Sequence, residues 1–283
     1  YKQLLMVAGY DRYFQIARCF RDEDLRADRQ PEFSQIDIEA SFVSAEDVMG
    51  YIEACLVGLW DEAGESVAQP FRQLTWHDAM ERYGIDKPDL RYGFEIGDGT
   101  GWLGDGAAPF LAAAGKDGIR FRAVLAPAAG DLSRKDLDGL ATVAREAGAA
   151  GVVWMRYGEG WEGQGVKAVG PEFVAALPGE PDDVFIGVVG PDQVTSPALH
   201  AVRTALIRRL APVPLTKHAF AWVVDFPLFE PDPATGRHLF VHHPFTSPHP
   251  DDVPFLETDP GRCRALHYDA VYNGNELGSG SIR

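Results

Sequence analysis

The sequence has 283 residues, 46% of them hydrophobic, so it can bury a sizeable core and more than one domain is expected. Its formal net charge of −16 argues against a protein that coats nucleic acid through a basic field, although local arginine clusters stay compatible with a nucleic-acid partner. No run is long and apolar enough to span a membrane, and no amino-terminal signal pattern is present. Three cysteines without metal-ligand spacing favour a reducing, cytoplasmic location.

Two strands are predicted near the start of the chain, over residues 12–21 and 33–43. Period two divides the second strand into an apolar and a polar face. The first set is Ser34, Ile36, Ile38 and Ala40, and the second is Phe33, Gln35, Asp37 and Glu39. In the first strand the same parity groups Gln15, Ala17, Cys19 and Arg21. An apolar back and a polar front predict a sheet that forms the floor of a binding site.

The loop between these strands is long and heavily charged. Seven of the nine residues from Arg21 to Arg29 are acids or arginines. Long loops more often serve a function than simply connect elements. Because the charges have both signs, the loop suits a ligand that is anionic and also rich in hydrogen-bond donors.

The next elements suggest one domain interrupted by another. A helix is predicted over residues 44–64 with Ser44 as its N-cap, and a short strand leads into a helix after Thr75. From about Phe94 the composition shifts towards Gly, Ala and Pro, and buried strands alternate with helices up to residue 212. That alternation is typical of an α/β unit, and strand patterning of the first kind returns after it.

The last segment predicts a hairpin whose turn is Asn273-Gly274. This turn would make Asp269 and Glu276 diagonal neighbours on one face. Two carboxylates at that separation could hold divalent ions that bridge phosphate oxygens. Simple parity places Arg283 on the opposite face unless a glycine bulge resets it.

Several segments carry a family resemblance. FRDEDLRADRQPEFSQIDIE, residues 20–39, resembles motif 2 of the class II aminoacyl-tRNA synthetases in the form found in bacterial aspartyl-tRNA synthetases. The resemblance extends to YGIDKPDLR, VVDFPLFE, HHPFTSP and YDAVYNGNELGSGSIR. It implies an α+β fold, in which an antiparallel sheet flanked by helices is interrupted by an inserted α/β domain.

The resemblance also implies a domain plan. Residues 1–93 and 213–283 would be two parts of the catalytic domain, and residues 94–212 would be a bacterial-type, GAD-like insertion. The family's anticodon-binding barrel, motif 1 and motif 3 are not found in the sequence. We therefore expect an internal fragment of a longer enzyme, with little or no activity in isolation.

The implied activity is that of an aspartate–tRNA ligase, which uses ATP and Mg²⁺ to form aspartyl-adenylate and transfers aspartate to the 3′ end of tRNA(Asp). Arg21 would bridge the α-phosphate and the substrate carboxylate, because a planar guanidinium serves two acceptors at once. Phe33 would stack on the adenine. The remaining implied contacts are Asp22, Glu23, Gln30 and Glu276 with ATP, Asp269 and Glu276 with Mg²⁺, and Glu23, Arg26 and Arg29 with tRNA.

Aspartate recognition is implied for a second set of residues. Arg283 would bind the side-chain carboxylate in a bidentate manner, assisted by Lys2. Gln35 and Asp37 would take the α-amino group, and Arg21 would also contact the amino acid. His242 would lie beside the aspartate with His243 behind it. A site built for a carboxylate should reject asparagine, whose amide would leave buried donors facing donors.

Two alternatives stay open. One is an asparaginyl-tRNA synthetase or an amide-forming paralogue, against which Arg283 and the insertion argue. The other is a non-catalytic tRNA-binding paralogue that keeps the fold without turnover. The full-length protein is expected to be a homodimer.

Overall fold

The structure is a computed structural model that describes residues 1–22, 24–25, 29–232 and 234–283. The chain divides into two compact units. The first comprises Tyr1–Arg72, Pro227–Tyr268 and Ser279–Arg283, and the second comprises Gln73–Phe226 and Asp269–Gly278. The inserted domain of residues 94–212 stays a prediction, and it falls within the second unit.

The helices and strands alternate irregularly along the chain. The helices are α1 (Lys2–Val7), α2 (Ala45–Glu62), α3 (Trp76–Tyr83), α4 (Arg134–Glu146), α5 (Gln164–Val169), α6 (Pro171–Ala176) and α7 (Asp192–Leu210). The strands are β1 (Arg12–Phe20), β2 (Glu32–Ala40), β3 (Arg72–Thr75), β4 (Ile96–Asp98), β5 (Arg120–Ala126), β6 (Gly151–Tyr157), β7 (Trp161–Glu162), β8 (Val184–Gly190), β9 (Phe220–Val224), β10 (Phe229–Pro231), β11 (His238–Phe240), β12 (His267–Tyr272) and β13 (Asn275–Ser281). Within the described ranges, no helix combines the length and apolarity needed to cross a bilayer.

In the first unit, β1 and β2 form an antiparallel ribbon whose register matches the predicted faces. Ala17 pairs with Gln35 and Cys19 with Phe33, so one face carries the predicted polar set. The opposite, apolar face is exposed, with Ile16 76% accessible. Helix α2 follows the ribbon.

Helix α2 begins as predicted. The backbone N–H of Asp47 donates to Ser44 Oγ at 3.2 Å, and the N–H of Ser44 donates to Asp47 Oδ2 at 2.8 Å. This capping box satisfies two amide groups that a helix start leaves unpaired. The prediction of Ser44 as the N-cap is confirmed.

The second unit contains a five-stranded sheet in the order β4-β5-β8-β6-β7. Each neighbouring pair is antiparallel. Strands β5 and β6 therefore run in the same direction with β8 between them, and α4 makes the crossover. This split β-α-β arrangement explains why the sequence alternates like an α/β unit although adjacent strands are antiparallel. The overall α+β class is confirmed.

Both faces of this sheet are covered. Leu137 of α4 and Leu199 of α7 are buried in one core with Val188 of the sheet. On the other face Phe173 of α6 meets Phe121 edge-on, with ring centroids 5.5 Å apart. The unit thus has two apolar layers, one on each side of its sheet.

Two buried arginines join segments of the second unit. Arg122 is 1% exposed and donates to the carbonyls of Met80 and Glu81 at 3.0 and 2.6 Å, and to Ser196 Oγ at 2.7 Å. It therefore connects the end of α3 to the start of α7. Arg203, also 1% exposed, donates to three carbonyls of the 89–93 loop. A guanidinium has enough donors to satisfy several buried carbonyls at once.

A second sheet has the strand order β13-β12-β9-β3. Within the second unit, its hairpin turn lies at Asn273 and Gly274, whose φ angles are +49° and +84°. Positive φ at both central residues is what a type I′ turn requires. The side chain of Asn273 also accepts from the N–H of Ala219 at 2.9 Å, which ties the turn to β9. The predicted Asn-Gly turn is confirmed.

Candidate functional site

The polar face of the β1–β2 ribbon begins at Arg21. The Arg21 guanidinium carbon lies 5.3 Å from the centre of the Phe33 ring, a cation–π distance. The Arg21 N–H donates to Pro31 O at 2.9 Å, so the backbone at this end is held to the neighbouring strand. Such a pair can bind a ligand that has both an anionic group and a flat ring, because the cation pairs with the anion and the aromatic side chain stacks on the ring.

Further along the first unit, four charged groups form one network. Lys2 Nζ lies 2.6 Å from Asp37 Oδ1 and 2.9 Å from Glu39 Oε1. Arg283 Nη2 lies 3.4 Å from the same oxygen of Glu39. Two cations and two carboxylates therefore alternate, and each carboxylate side chain is less than a quarter exposed.

The pKa shifts of Asp37 and Lys2 favour the charged form of each group. Burial alone would raise the pKa of the Asp37 carboxyl, but hydrogen bonds from Lys2 and Gln15 and the positive charge of Arg283 leave it below its ordinary value. Burial would lower the pKa of the Lys2 ammonium, but Asp37 and Glu39 leave it above its ordinary value. At neutral pH Asp37 is therefore negative and Lys2 positive.

The two cations of this network border an open pocket of about 600 Å³ in the first unit, whereas Asp37 and Glu39 are not among the residues that line it. Lys2, Arg283, His242 and His243 line the pocket. Phe245 also lines it and lies under Arg283, whose guanidinium carbon is 4.3 Å from the ring centre. Two cations in the lining suit an anionic group of a small polar molecule.

Aromatic stacking orients both predicted histidines. The His242 and His267 rings are stacked with centroids 3.6 Å apart, and His243 stacks on Phe245 at 4.3 Å. His267 is 9% exposed, so His242 stacks on a ring that belongs to the protein interior. Both histidines line the same pocket as Arg283 and Lys2, and the predicted position of His242 beside aspartate with His243 behind it stays a prediction.

The predicted metal-binding acids lie on neighbouring strands of the second unit, Asp269 on β12 and Glu276 on β13. Asp269 is 8% exposed. Burial raises the pKa of the nearby Asp86 carboxyl, and the negative charge of Asp269 raises it further. Among the described side chains, no group of three or more His, Cys, Asp or Glu is arranged to hold a metal ion. Mg²⁺ commonly takes one or two protein carboxylates plus phosphate oxygens, and these acids fit that donor set.

The remaining predicted contacts belong to the charged loop. Asp22 and Gln30 are exposed and Arg29 is half-buried. Glu23 and Arg26 lie outside the described residues. The convergence of Arg21 with Asp269 and Glu276 stays a prediction, because these residues belong to different units.

Sequence reasoning assigned no role to three residues of the pocket region. Glu39 bridges Lys2 and Arg283, and its place on the polar face of β2 was a usable signal. Phe245 and His267 support Arg283 and His242 by ring contacts. Phe245 lies within the HHPFTSP segment that carries the resemblance, whereas His267 has no signal in the sequence because His242 is distant along the chain.

The first unit thus combines a ribbon that has one polar face with a pocket lined by two cations. The chain matches the family described as tRNA synthetases class II (D, K and N) over residues 1–283. It therefore belongs to the class II tRNA synthetases of this family.

Curated relatives align with the whole chain. It is 45% identical over 290 residues to "Aspartate--tRNA ligase" of Geobacillus kaustophilus, covering 100% of this chain and 49% of the relative. It is 43% identical over 290 residues to "Aspartate--tRNA(Asp/Asn) ligase" of Desulfatibacillum aliphaticivorans, with the same coverage. A protein of that second name from Moorella thermoacetica is 44% identical over 294 residues, of which the chain covers 48%. The chain thus spans about half the length of these relatives.

Proposed function

We propose that this chain is the aspartate-binding and ATP-binding part of an aspartate–tRNA ligase. The observation that carries the proposal is the alternating network of Lys2, Asp37, Glu39 and Arg283 beside the pocket. Free aspartate has two carboxylates and one ammonium at neutral pH. The two cations suit the side-chain carboxylate, Asp37 suits the ammonium, and Glu39 pairs with both cations.

In the proposed complex, Arg283 binds the side-chain carboxylate through two parallel N–H groups and Lys2 adds a second positive charge. Asp37 then receives the α-ammonium group, with Gln35 beside it. Part of the network would exchange its internal ion pairs for pairs with the ligand. Such an exchange keeps buried charges compensated, which is required for tight binding of a charged molecule.

Activation is the attack of the aspartate α-carboxylate oxygen on the α-phosphorus of ATP. A new oxygen–phosphorus bond forms, and the bond from the α-phosphorus to the departing pyrophosphate breaks. Arg21 is proposed to bridge the two anions and to stabilise charge on the α-phosphate, while Phe33 stacks on adenine. Asp22, Glu23 and Gln30 are proposed as further nucleotide contacts.

The acids of the second unit are proposed to act with a metal ion. Asp269 and Glu276 would hold Mg²⁺ together with phosphate oxygens of ATP. The ion would supply positive charge to the phosphates when bound. Burial and the negative charge of Asp269 raise the pKa of the Asp86 carboxyl, and a cation held by Asp269 would oppose the second effect.

Transfer of aspartate to the 3′ end of tRNA(Asp) is proposed as the second step. Glu23, Arg26 and Arg29 are proposed contacts of the tRNA acceptor end. The full-length protein is proposed to be a cytoplasmic homodimer. Some relatives are named for both tRNA(Asp) and tRNA(Asn), and charging assays with the two purified tRNAs would distinguish the two specificities.

Pyrophosphate exchange tests the proposed substrate. With full-length protein we expect exchange into ATP that depends on L-aspartate and is at least about 10³-fold less efficient with L-asparagine, because Arg283 and Lys2 would then face an amide instead of an anion. Exchange driven by asparagine alone would instead indicate an asparaginyl-type enzyme. Binding of aspartate and ATP without any exchange would indicate a non-catalytic paralogue.

Replacing Glu276 tests the metal assignment. In full-length Glu276→Ala we expect the Mg²⁺ concentration for half-maximal exchange to rise about tenfold or more, because one carboxylate ligand is lost. A matched control is Glu257→Ala, which removes an exposed acid from the first unit. A magnesium titration of Glu276→Ala that overlays the parent curve would contradict the role as a ligand.

A further inference from the structure

The backbone next to Arg283 is held on both sides by other segments of the first unit. The N–H of Ile282 donates to Leu266 O at 2.9 Å, and Ile282 O accepts from the N–H of Ser247 at 2.8 Å. Leu266 and Ser247 are themselves bonded, with the Leu266 N–H 2.9 Å from Ser247 O. The Arg283 side chain therefore starts from a backbone position that its neighbours determine.

A close contact at Gly280, in β13, limits where this strand can lie. A Cβ atom placed on Gly280 would be 2.5 Å from Tyr268 Cε2 and 2.8 Å from both Cζ and Oη. The φ of Gly280 is outside the left-handed region, so glycine is needed here for space and not for its backbone freedom. The strand thus lies directly against the Cε2, Cζ and Oη atoms of the tyrosine.

Tyr268 is a fixed support. It is 6% exposed, so its ring has little room to swing away. Burial raises the pKa of its phenol to about 12, with the negative charge of Glu39 adding to the rise and the positive charge of Arg283 opposing it. The Tyr268 phenol is therefore neutral at physiological pH. It is also close enough to Arg283 and Glu39 for both charges to affect its pKa.

We propose that the contact of Gly280 with Tyr268 sets the position of the Arg283 guanidinium in the pocket, which makes Gly280 and Tyr268 positioning residues for recognition of a side-chain carboxylate. The inference rests on the proposed role of Arg283. A methyl group at Gly280 would need roughly 1 Å of movement to reach an ordinary carbon–carbon distance. A displacement of that size at a binding group can reduce its function about 10²-fold.

The test uses full-length protein and compares Gly280→Ala with Gly97→Ala. Gly97 also lies in a strand, β4, and a Cβ there meets no atom within 4 Å. Isothermal titration should show aspartate binding weakened about 10- to 100-fold in Gly280→Ala, with ATP binding changed less than about twofold. Gly97→Ala should match the parent protein. Equal loss of aspartate and ATP binding in Gly280→Ala would show a general structural defect and overturn the inference.

A double-mutant cycle tests the role of the ring. Tyr268→Leu removes the ring atoms nearest Gly280, so adding Gly280→Ala to it should change aspartate affinity by less than about threefold. Tyr268→Phe keeps the ring carbons and should leave the full effect of Gly280→Ala. If Gly280→Ala weakened binding equally with tyrosine and with leucine at position 268, the ring would not be the cause and the inference would be wrong.

Arg283→Ala in the same series separates the two proposals. Unchanged aspartate affinity in Arg283→Ala would overturn the proposed function of this pocket. Loss of affinity in Arg283→Ala but not in Gly280→Ala would overturn only the positioning inference. A change in the aspartate to asparagine affinity ratio in Gly280→Ala would support it, because only the side-chain contact distinguishes the two ligands.

Discussion

Replacing Arg283 with alanine in the full-length protein is expected to weaken L-aspartate binding by about 10²- to 10³-fold, equivalent to about 3–4 kcal/mol. The loss has two sources. The ligand carboxylate loses a charge-assisted, bidentate partner. Glu39 also loses one of its two cationic partners and keeps only Lys2, so a mostly buried acid near an anionic ligand is less well compensated.

The same variant should lose selectivity. Asparagine has no side-chain charge to pair with Arg283, so its weak binding should change little. Arg283→Lys should recover part of the affinity, because an ammonium restores the charge but not the planar pair of donors. Titration calorimetry with both amino acids measures these differences.

Arg262 provides a matched control for Arg283. Both arginines lie over a phenylalanine ring, Arg262 at 3.8 Å from the Phe255 centroid and Arg283 at 4.3 Å from that of Phe245. Arg262 is absent from the lining of the pocket. Arg262→Ala should therefore leave aspartate affinity within about twofold of the parent. A similar loss in both variants would mean that the effect follows net charge or stability and not ligand contact.

Local features of the fold were predictable because their causes are local. The Ser44 capping box depends on residues three apart, and the turn at Asn273-Gly274 depends on two residues that tolerate positive φ. The polar face of β2 follows from period two, and pairing with β1 preserves it. None of these features needs knowledge of distant segments.

Long-range features were not predictable in the same way. Strand β8 lies between β5 and β6 although it follows both in the chain, and no local pattern encodes strand order. Arginine is usually a surface residue, yet Arg122 and Arg203 are both 1% exposed. Each donates hydrogen bonds to backbone carbonyls of segments that are distant along the chain. Burial of a charged group depends on partners that only the folded chain supplies.

The candidate site shows the same division. Gln35, Asp37 and Glu39 share a face by strand parity alone. Parity predicts that Arg283 lies on the opposite face of its hairpin from the acids, unless a bulge intervenes. Its approach to Glu39 depends on tertiary contacts, including those of Ile282 with Leu266 and Ser247.

Replacing Arg21 with alanine in the full-length protein is expected to reduce aspartate-dependent pyrophosphate exchange by about 10³-fold or more. Removal of one donor to developing charge reduces turnover by about 10²- to 10³-fold in other enzymes. Arg21 is proposed to contact two anions, so its loss should lie at or above the upper end of that range. The maximal exchange rate should fall more than ATP affinity, because the proposed contacts strengthen as charge develops on the α-phosphate.

Arg18→Ala is the matched control for this variant. Arg18 lies three residues before Arg21, pairs with Glu32, and has its guanidinium 5.9 Å from the Phe20 ring, whereas Arg21 lies 5.3 Å from Phe33. By strand parity Arg18 belongs to the apolar face and not to the polar one. Exchange by Arg18→Ala should stay within about twofold of the parent, and both variants should unfold at the parent's temperature. Near-normal exchange by Arg21→Ala, or an equal loss in both variants, would contradict the assignment of Arg21 to the reacting groups.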